Sequence, residues 1–187
     1  MNKRLKRALP LREVYRFLET GPVVLLTTAR QGRANVMAMS WHTMMEFEPP
    51  LIGCVVSERD HSFAALKATR ECVINIPTAG LLPQTVACGN CSGARVDKFA
   101  EFGLTPLPAS KVAAPLVAEC PVNVECRVVD TRFVKFYDFF VLEAVKAWID
   151  GRGPGPGRWR KLDTIHHMGM GKFMVAGRTV ATGSRMP

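Results

Sequence analysis

The sequence predicts a mainly β fold, an antiparallel barrel with short peripheral helices. Apolar or alternating segments of strand length outnumber the segments with helical periodicity, and most neighbouring segments are joined by short turns rather than by crossover helices. The composition, 48% hydrophobic and 22% charged over 187 residues, is typical of a globular protein. We therefore expect one domain over residues 1–187, with residues 1–9 as a basic N-terminal tail.

Turn residues and changes in the periodicity of the hydrophobic residues define the predicted helices and strands. The apolar spacing over 10–20 predicts a helix that ends before Gly21 and Pro22, and "RQGR" predicts a hairpin turn. Asp60 is a candidate N-cap for a helix over 60–70, and two further short helices flank "GNCSG". The predicted strands cover residues 23–29, 35–48, 51–57, 72–77, 121–134 and 136–150, of which the last two are expected to pair as a long antiparallel ribbon.

The formal net charge of +9 is unevenly distributed, with clusters of Lys and Arg near the N-terminus and around a glycine-rich loop at 151–158. Such charge can form a nucleic-acid footprint, or a field that attracts phosphorylated small molecules. The sequence has no alternation of aromatic and basic residues and no recognised nucleic-acid motif, which disfavours the first interpretation.

The expected cellular compartment rests on the export signals that the sequence does not show. Charged residues interrupt the N-terminal stretch that resembles the start of a signal peptide, and no run of about 18 apolar residues is present. We therefore expect a cytoplasmic protein with reduced thiols and no membrane association. Cys54, Cys72 and Cys126 lie in apolar or alternating segments, where cysteine usually acts as a small buried hydrophobe.

The predicted strand that begins at Asn35, "NVMAMSWHTMMEFEPP", has unusual residues on both faces. Alternation places methionines and Trp41 on one face, and Ala38, Ser40 and His42 among the residues of the other. Small residues on a strand allow close approach by a flat ligand, and methionine adapts to irregular apolar surfaces. A strand buried between a barrel interior and a subunit interface explains the same pattern, and periodicity alone favours that second explanation.

A glycine-rich turn, "CGNCSGARVDKF", carries a CxxC pair and two cations. Cys88 and Cys91 lack the strand and helix that surround a thioredoxin-like dithiol, and no second pair has zinc-site spacing. Ser92, Arg95 and Lys98 lie near one turn, where backbone amides, a hydroxyl and cations can bind an anion. The same turn is equally explained as a helix cap.

Other motifs of catalysis are missing. The GxG of "HHMGMGKF" has no GxGxxG unit around it, and the adjacent histidines are not expected to bind a metal. The tail that contains them is expected to be mostly irregular. No GxSxG, HExxH or carboxylate pair in a recognisable setting is present, so hydrolysis is not indicated. We expect the chemistry to belong to a cofactor.

Several segments together resemble the flavin reductase-like family, most closely its flavoredoxin branch. The resemblance covers most of residues 20–177, in family order. It rests on "NVMAMSWHTMMEFEPPLIGCVVSERDHSFAALKATRECVINIP", "GNCSGARVDKFAEFGLTP", "FYDFFVLEAV" and "HHMGMGKFMVAG". The resemblance implies an FMN-binding split β-barrel of Greek-key topology, noncovalently bound FMN and a homodimer.

The resemblance also implies a set of cofactor-binding residues and no catalytic side chain or metal. The residues along the ring and ribityl chain would be Asn35, Val36, Ser40, Trp41 and His42. Those at the phosphate and ribityl end would be Ser57, Arg59, Ser62, Phe63, Ser92 and Lys98. Tyr137 stands where the family often has histidine, and Phe173 would close over the cofactor, with Met170 nearby where aspartate is frequent.

The implied activity is hydride transfer from NADH or NADPH to bound FMN, and then electron transfer to free flavin, a small molecule or a redox protein. An alternative is a non-catalytic FMN electron carrier with protein partners. A third hypothesis is a nucleic-acid or anionic-surface binder on the same barrel. The sequence leaves open the acceptor, the nicotinamide preference, and the roles of Cys88, Cys91 and the basic tail.

Overall fold

The structure, a computed structural model, describes residues 21–149 and 162–178. The predicted helix over 10–20, the basic tail and the loop over 151–158 lie outside these ranges. The strands are β1 Val24–Arg30, β2 Arg33–Met39, β3 His42–Glu46, β4 Leu51–Val55, β5 Glu71–Ile76, β6 Pro106–Leu107, β7 Leu116–Val117, β8 Val122–Asp130, β9 Phe139–Ile149, β10 Ile165–His167 and β11 Phe173–Val175. The α-helices are α1 His61–Thr69, α2 Leu82–Asn90, α3 Lys98–Glu101 and α4 Val134–Tyr137, and a 3-10 turn, Ala79–Leu81, precedes α2. The prediction of a mainly β protein with short helices is confirmed.

Seven strands form one antiparallel sheet in the order β2-β1-β5-β8-β9-β4-β3. Its two edge strands, β2 and β3, are consecutive in the chain and are joined only by Ser40 and Trp41. Because three peptide steps span at most about 11 Å, the sheet must curl until its edges approach each other. The edges do not pair, and this leaves the barrel split. Strand β4 lies beside β9 rather than β5, which is the Greek-key order.

The stretch "NVMAMSWHTMMEFEPP" was predicted as one strand, and this prediction was wrong. The strand breaks at Ser40 and Trp41, and its halves pair with β1 at one edge of the sheet and with β4 at the other. The side-chain alternation therefore does not continue from Asn35 to Phe47. The two halves hydrogen-bond to different strands, β1 and β4, which are separated by three strands in the sheet, and a local pattern does not contain that information.

Strand β1 begins with three consecutive apolar residues, Val24, Leu25 and Leu26, and the core explains why. Strand β1 is buried on both faces, since Val24 and Leu26 pack in the barrel interior while Leu25 packs outside it with Val36 and Cys88. Helix α1 adds Leu66 and part of Phe63 to the interior cluster, and α2 covers the outer face of β2.

The hairpin turn predicted at "RQGR" is confirmed. The backbone φ angles are 51° at Gln31 and 75° at Gly32, and Arg30 pairs with Arg33 across this two-residue turn. Positive φ at both central positions gives the backbone twist that matches the twist of antiparallel strands. The paired β8 and β9 also confirm the long antiparallel ribbon, although β9 begins at Phe139 because residues before it form α4.

Two further predictions are confirmed only in part. The tail was expected to be mostly irregular, and it also contains one hairpin, in which β10 and β11 pair around Gly169 and Gly171, which have positive φ. Asp60 is the N-cap residue of α1, as predicted, but its carboxylate makes no cap hydrogen bond to the helix. It accepts the backbone N–H of Ser57 at 3.1 Å instead, which stabilises the loop between β4 and α1.

Buried polar groups attach the loop before β8 to the sheet. The Asn75 side chain accepts the N–H of Val117 at 2.9 Å and a hydrogen bond from Asn123 at 2.8 Å. Glu125, also fully buried, accepts hydrogen bonds from the backbone N–H groups of Ser110 and Lys111. Since each buried acceptor has several donors, these groups hold the loop without an unpaired polar atom.

Candidate functional site

Two adjoining clefts are each lined by residues of β2 and of α2. The first, the polar cleft, has a volume of about 180 Å³. Its walls include Asn35, Arg59, Ser62, Ser92, Arg95 and Lys98. The second, the apolar cleft, has a volume of about 350 Å³, and its walls include Val23, Met39, Ser40, Thr85, Val86, His167 and Phe173. Ala38, Gly89 and Asn90 line both clefts, so the two lie directly beside each other.

The polar cleft opens at the N-terminus of α1. A helix N-terminus presents unpaired backbone N–H groups and a partial positive charge, which favour an anion. The loop that leads into α1 is held by its own hydrogen bonds, including one from the Arg59 N–H to the Ser57 hydroxyl at 3.3 Å. This loop places Arg59 beside the helix end. Together with Arg95 and Lys98 it gives the cleft three cationic side chains, against one carboxylate, Asp60.

A buried hydrogen bond forms the floor of the polar cleft. The Asn35 side-chain amide donates to the Ser62 hydroxyl at 2.8 Å, and these residues are 8% and 1% exposed. This bond ties β2 to the first turn of α1. Gly93 lies directly against Asn35, because a Cβ at Gly93 would overlap the Asn35 amide oxygen and approach its Cγ to 2.6 Å.

Lys98 is almost fully buried beneath the polar cleft, at 4% exposure. Its ammonium donates to the Cys88 carbonyl at 2.6 Å, near the C-terminal end of α2. A lysine ammonium has three N–H donors, so this bond leaves further donors for a ligand. The cation also interacts favourably with the negative end of the α2 dipole. Lys98 is therefore fixed in position before any ligand binds.

The hairpin of β10 and β11 forms one wall of the apolar cleft. His167 and Phe173 are directly paired across this hairpin, and their ring centroids are 5.2 Å apart. Gly89 lies beside Ala38 in the same cleft, and a Cβ at Gly89 would make ordinary contact with the Ala38 Cβ at 3.6 Å. A cleft lined by small residues and two rings is suited to a flat group.

The Thr85 hydroxyl is an unusual feature of the apolar cleft. Thr85 is 1% exposed, and its Oγ1 has no hydrogen-bond partner among the residues that the structure describes. A buried hydroxyl without a partner lowers stability by about 1–3 kcal/mol. A ligand with a complementary polar atom would remove this penalty.

The structure brings seven of the predicted cofactor-binding residues to the two clefts. They are Asn35, Ser40, Arg59, Ser62, Ser92, Lys98 and Phe173. Of these, the Ser92 hydroxyl accepts the Ala94 N–H at 3.3 Å, which supports the turn of the polar cleft. Their contact with a cofactor stays a prediction.

Four predicted residues lie in the same region but have other contacts. Val36 is fully buried in the cluster beneath α2, and Phe63 packs edge-on against Phe140 at 5.6 Å. His42 Nε2 bonds the Pro22 carbonyl at 2.7 Å. The Ser57 hydroxyl accepts the Arg59 N–H within the loop before α1. None of these side chains lines either cleft.

The remaining two predicted residues are exposed. Trp41 is 56% exposed at the break between β2 and β3, and Tyr137 is 68% exposed at the end of α4. Tyr137 contacts the rings of Phe133 and Phe136 rather than either cleft. Within one chain, the structure does not bring Tyr137 to the predicted site.

Sequence reasoning missed several residues of the apolar cleft. Thr85 and Val86 lie on α2 in "LLPQTVACGN", a segment that carries no recognisable motif. His167 was considered only as a metal ligand. Its pairing with Phe173 could have been found only by predicting the β10–β11 hairpin.

Cys88 and Cys91 both line the polar cleft. Burial raises the pKa of the Cys88 thiol to about 11, although the Lys98 cation acts in the opposite direction. Cys88 is therefore a neutral thiol near pH 7, and thiolate chemistry at this position is disfavoured. Within residues 21–149 and 162–178, no group of three or more His, Cys, Asp or Glu side chains is arranged to hold a metal ion. No helix in those ranges is both long and apolar enough to cross a membrane.

Comparison with known proteins places this architecture in a family. An uncharacterized protein of Escherichia coli, YddH, is 34% identical over 181 residues, covering 92% of this chain and 96% of the relative. Among solved structures, an FMN-binding domain of a flavin reductases-like enzyme from Shewanella baltica superposes with a TM-score of 0.82 at 27% identity, covering 94% of this chain and 96% of that one. A flavoredoxin from Methanosarcina acetivorans superposes with a TM-score of 0.83 at 26% identity, covering 97% and 96%.

The sheet order, the split between β2 and β3 and these structural likenesses agree with a match over residues 16–165 to a domain family described as "flavin reductase like domain". That match includes every strand of the seven-stranded sheet. The chain belongs to the flavin reductase-like family.

Proposed function

We propose that this protein is an FMN-dependent oxidoreductase that takes reducing equivalents from NADH or NADPH and passes them to an acceptor. The observation that carries this proposal is that the two clefts adjoin at Ala38, Gly89 and Asn90, which line both. A cationic cleft at a helix N-terminus adjoins a slot of suitable shape for a flat ring. FMN has the same order of parts, a phosphate at one end and a planar ring at the other.

The phosphate end of FMN fits the polar cleft. Arg59 and Lys98 would neutralise the phosphate charge, and the first turn of α1 would donate backbone hydrogen bonds. The burial of Lys98 and its bond to the Cys88 carbonyl keep the ammonium in place without a rotamer search on binding. Preorganised cations of this kind bind a phosphate with a smaller entropy penalty than flexible surface lysines.

The ring end fits the apolar cleft. Ala38, Gly89 and Phe173 all line this cleft, and the small residues Ala38 and Gly89 would leave room for the ring. The Thr85 hydroxyl would pair with a polar atom of the ring, which explains why it has no partner among the described residues. The role of the hairpin is to cover the ring and exclude water.

Bound FMN would supply the hydride and electron chemistry. The residues of this chain then need to hold two rings face to face and keep water away, and the hydride step requires no side-chain acid or base. This agrees with a cleft whose buried thiol, Cys88, is neutral at physiological pH. The positive net charge of +9 would favour encounter with anionic nucleotides.

The first experiment is titration of the purified protein with FMN and with riboflavin, followed by flavin fluorescence and absorbance. We expect saturable binding with a clear preference for FMN. Absence of uptake at micromolar FMN would refute the proposal. Anaerobic addition of NADH or NADPH then separates a reductase from an electron carrier, since only the reductase loses its flavin absorbance.

We also propose that the protein acts as a homodimer. Both faces of edge strand β3 carry exposed apolar side chains, with Met44 54% and Met45 48% exposed and Phe47 beyond them 75% exposed. An unpaired edge with this much apolar surface is a typical association site. A role for Tyr137 at the cofactor would then come from the second subunit. Light scattering after gel filtration tests this, and a monomer for the wild type at micromolar concentration would contradict it.

A further inference from the structure

A third cleft adjoins the polar cleft on the side away from the apolar cleft. This arginine cleft, about 310 Å³ in volume, lies between the β1–β2 hairpin and α1. Its lining residues include Thr28, Arg30, Arg33, Ala64 and Ala65. Asn35, His61 and Gly93 also line the polar cleft, whereas no residue lines both this cleft and the apolar one.

The strand register explains why the two arginines face α1. Thr28 pairs with Asn35 and Arg30 pairs with Arg33 across the hairpin. Side chains two residues apart on a strand share a face, so Arg30 lies on the face of Thr28 and Arg33 on the face of Asn35. The Asn35–Ser62 hydrogen bond shows that this face meets α1.

The charges of this cleft are not balanced within the part of the chain that the structure describes. No carboxylate lines the cleft, and neither the Arg30 nor the Arg33 guanidinium has an ion pair or hydrogen bond there. Like charges directly opposite each other on neighbouring strands destabilise a hairpin. The Arg30–Arg33 pair is unfavourable for folding, and both residues line a cleft. This combination indicates that an anion binds between the two side chains.

A second and independent observation concerns Thr28. Its side chain is fully buried, and its Oγ1 has no hydrogen-bond partner among residues 21–149 and 162–178. Buried hydroxyls in proteins are normally paired, so an unpaired one at the base of a cleft indicates a ligand atom. On the α1 side, Ala64 and Ala65 present small side chains, which leave room for more than a phosphate group.

We propose that the arginine cleft binds a second nucleotide phosphate, additional to the phosphate of the flavin mononucleotide. Two sources share this chemistry: the adenylate half of FAD, reaching through the polar cleft, and the adenine nucleotide half of the nicotinamide donor. The order of the three clefts supports the proposal, since a ring, a first phosphate and a second phosphate would follow one another along one groove. The position of the first phosphate rests on the proposed function, whereas the anion site between Arg30 and Arg33 does not.

The test compares ligands on the full-length protein. Three proteins are compared: the wild type, the double variant Arg30→Gln/Arg33→Gln and the control Arg132→Gln. Each is titrated with FMN, FAD and ADP to measure affinity. The apparent KM for NADH and for NADPH is then measured for each protein. Arg132 is an exposed arginine paired with Asp130 and does not line the cleft, so its loss removes one of the two positive charges that the double variant removes without touching the site. Charge-assisted hydrogen bonds contribute enough that each arginine is expected to change affinity by about tenfold.

In the double variant, the affinity for ADP is expected to fall tenfold or more, while the affinity for FMN changes less than twofold. In the control variant, neither affinity is expected to change. A selective loss for FAD over FMN identifies the flavin adenylate as the source, and a selective rise in the KM for NADPH or NADH identifies the donor. The wild type and double variant should unfold at the same denaturant concentration or the variant at a higher one, because the change removes a repulsion. A lower midpoint would count against the proposal, because the two arginines would then stabilise the fold rather than repel each other.

Other outcomes separate this proposal from the proposed function. Binding of ADP without binding of FMN would refute the proposed function and leave the second phosphate site standing. Binding of FMN without any effect of the double variant on FAD, ADP or the nicotinamide nucleotides would overturn the second site alone. Equal losses for FMN and ADP would also overturn it, because the arginines would then act on the first phosphate or on the fold.

Discussion

Asn35 on β2 donates a hydrogen bond to Ser62 on α1 across 2.8 Å, and both side chains are buried. The two residues are 27 positions apart in the sequence, so this bond joins two elements that are separate in the chain. It supports the polar cleft on one side and the arginine cleft on the other. A change that displaces Asn35 should therefore affect ligand binding and stability together.

The first prediction concerns Gly93, whose Cα lies against the Asn35 amide. We expect Gly93→Ala to lower the free energy of unfolding by about 1–3 kcal/mol, because a methyl group there overfills a packed site. FMN affinity should fall as well, since Asn35 must move. The control is Gly80→Ala, where a Cβ would meet only the Thr78 hydroxyl at 3.9 Å. Chemical denaturation and FMN titration of both variants would show equal behaviour if Asn35 were not displaced.

The second prediction separates two roles of Lys98. Lys98→Ala should weaken FMN more than riboflavin, because only FMN carries the phosphate. It should also lower stability by about 1–3 kcal/mol, since the Cys88 carbonyl loses its buried donor. Lys135→Ala, on the exposed surface of α4, serves as the charge control. Equal losses for FMN and riboflavin, measured by fluorescence titration, would restrict Lys98 to the structural role.

The fold was largely predictable because its information is local. Apolar runs and alternation mark most strands, and "RQGR" marks a turn whose two positive φ angles the structure confirms. The break at Ser40 and Trp41 was not predictable in this way. The sequence pattern gives no sign of the break, and only the pairing of β2 with β1 and of β3 with β4 shows where the strand ends.

The candidate site was predictable only in part, for a similar reason. The turn around Ser92 and Lys98 has a composition that indicates anion binding, and both residues line the polar cleft. Thr85 and the His167–Phe173 pair come to the apolar cleft through the packing of α2 and of a short hairpin. In the sequence, Arg30 and Arg33 resemble ordinary turn residues. Only the strand register places them on the side of the hairpin that meets α1.

The third prediction tests whether the Thr85 hydroxyl serves a ligand. Thr85→Val removes a buried hydroxyl without a partner among the described residues, so the ligand-free protein should become more stable by about 1–3 kcal/mol. FMN affinity should change in the opposite direction and fall. Thr85→Ser keeps the hydroxyl and should retain affinity while losing a methyl contact. If Thr85→Val binds FMN as tightly as the wild type, the hydroxyl does not contact the ring.

The fourth prediction concerns acid stability and Glu125. Burial alone raises the pKa of this carboxyl, but hydrogen bonds from Ser110, Trp148 and Lys111 outweigh that effect and hold the pKa below its ordinary value of 4.5. The Trp148 indole donates at 2.7 Å and the Lys111 N–H at 2.5 Å. A lowered pKa means that the unfolded chain binds the proton more tightly than the folded one. The stability that Glu125 contributes is therefore fully present above about pH 4.5 and is lost as the pH falls through the folded-state pKa.

Glu125→Gln isolates this contribution. At pH 7 the variant should be less stable than the wild type by about 1–3 kcal/mol, because an amide offers one acceptor oxygen where the carboxylate offers two. The difference between the two proteins should shrink as the pH is lowered below 4.5, since the wild-type carboxyl then becomes neutral as well. Denaturant unfolding at pH 7, 4.5 and 3.5 measures this difference, with exposed Glu101→Gln as the control. Parallel pH curves for wild type and Glu125→Gln would show that the donors around Glu125 do not stabilise its charge.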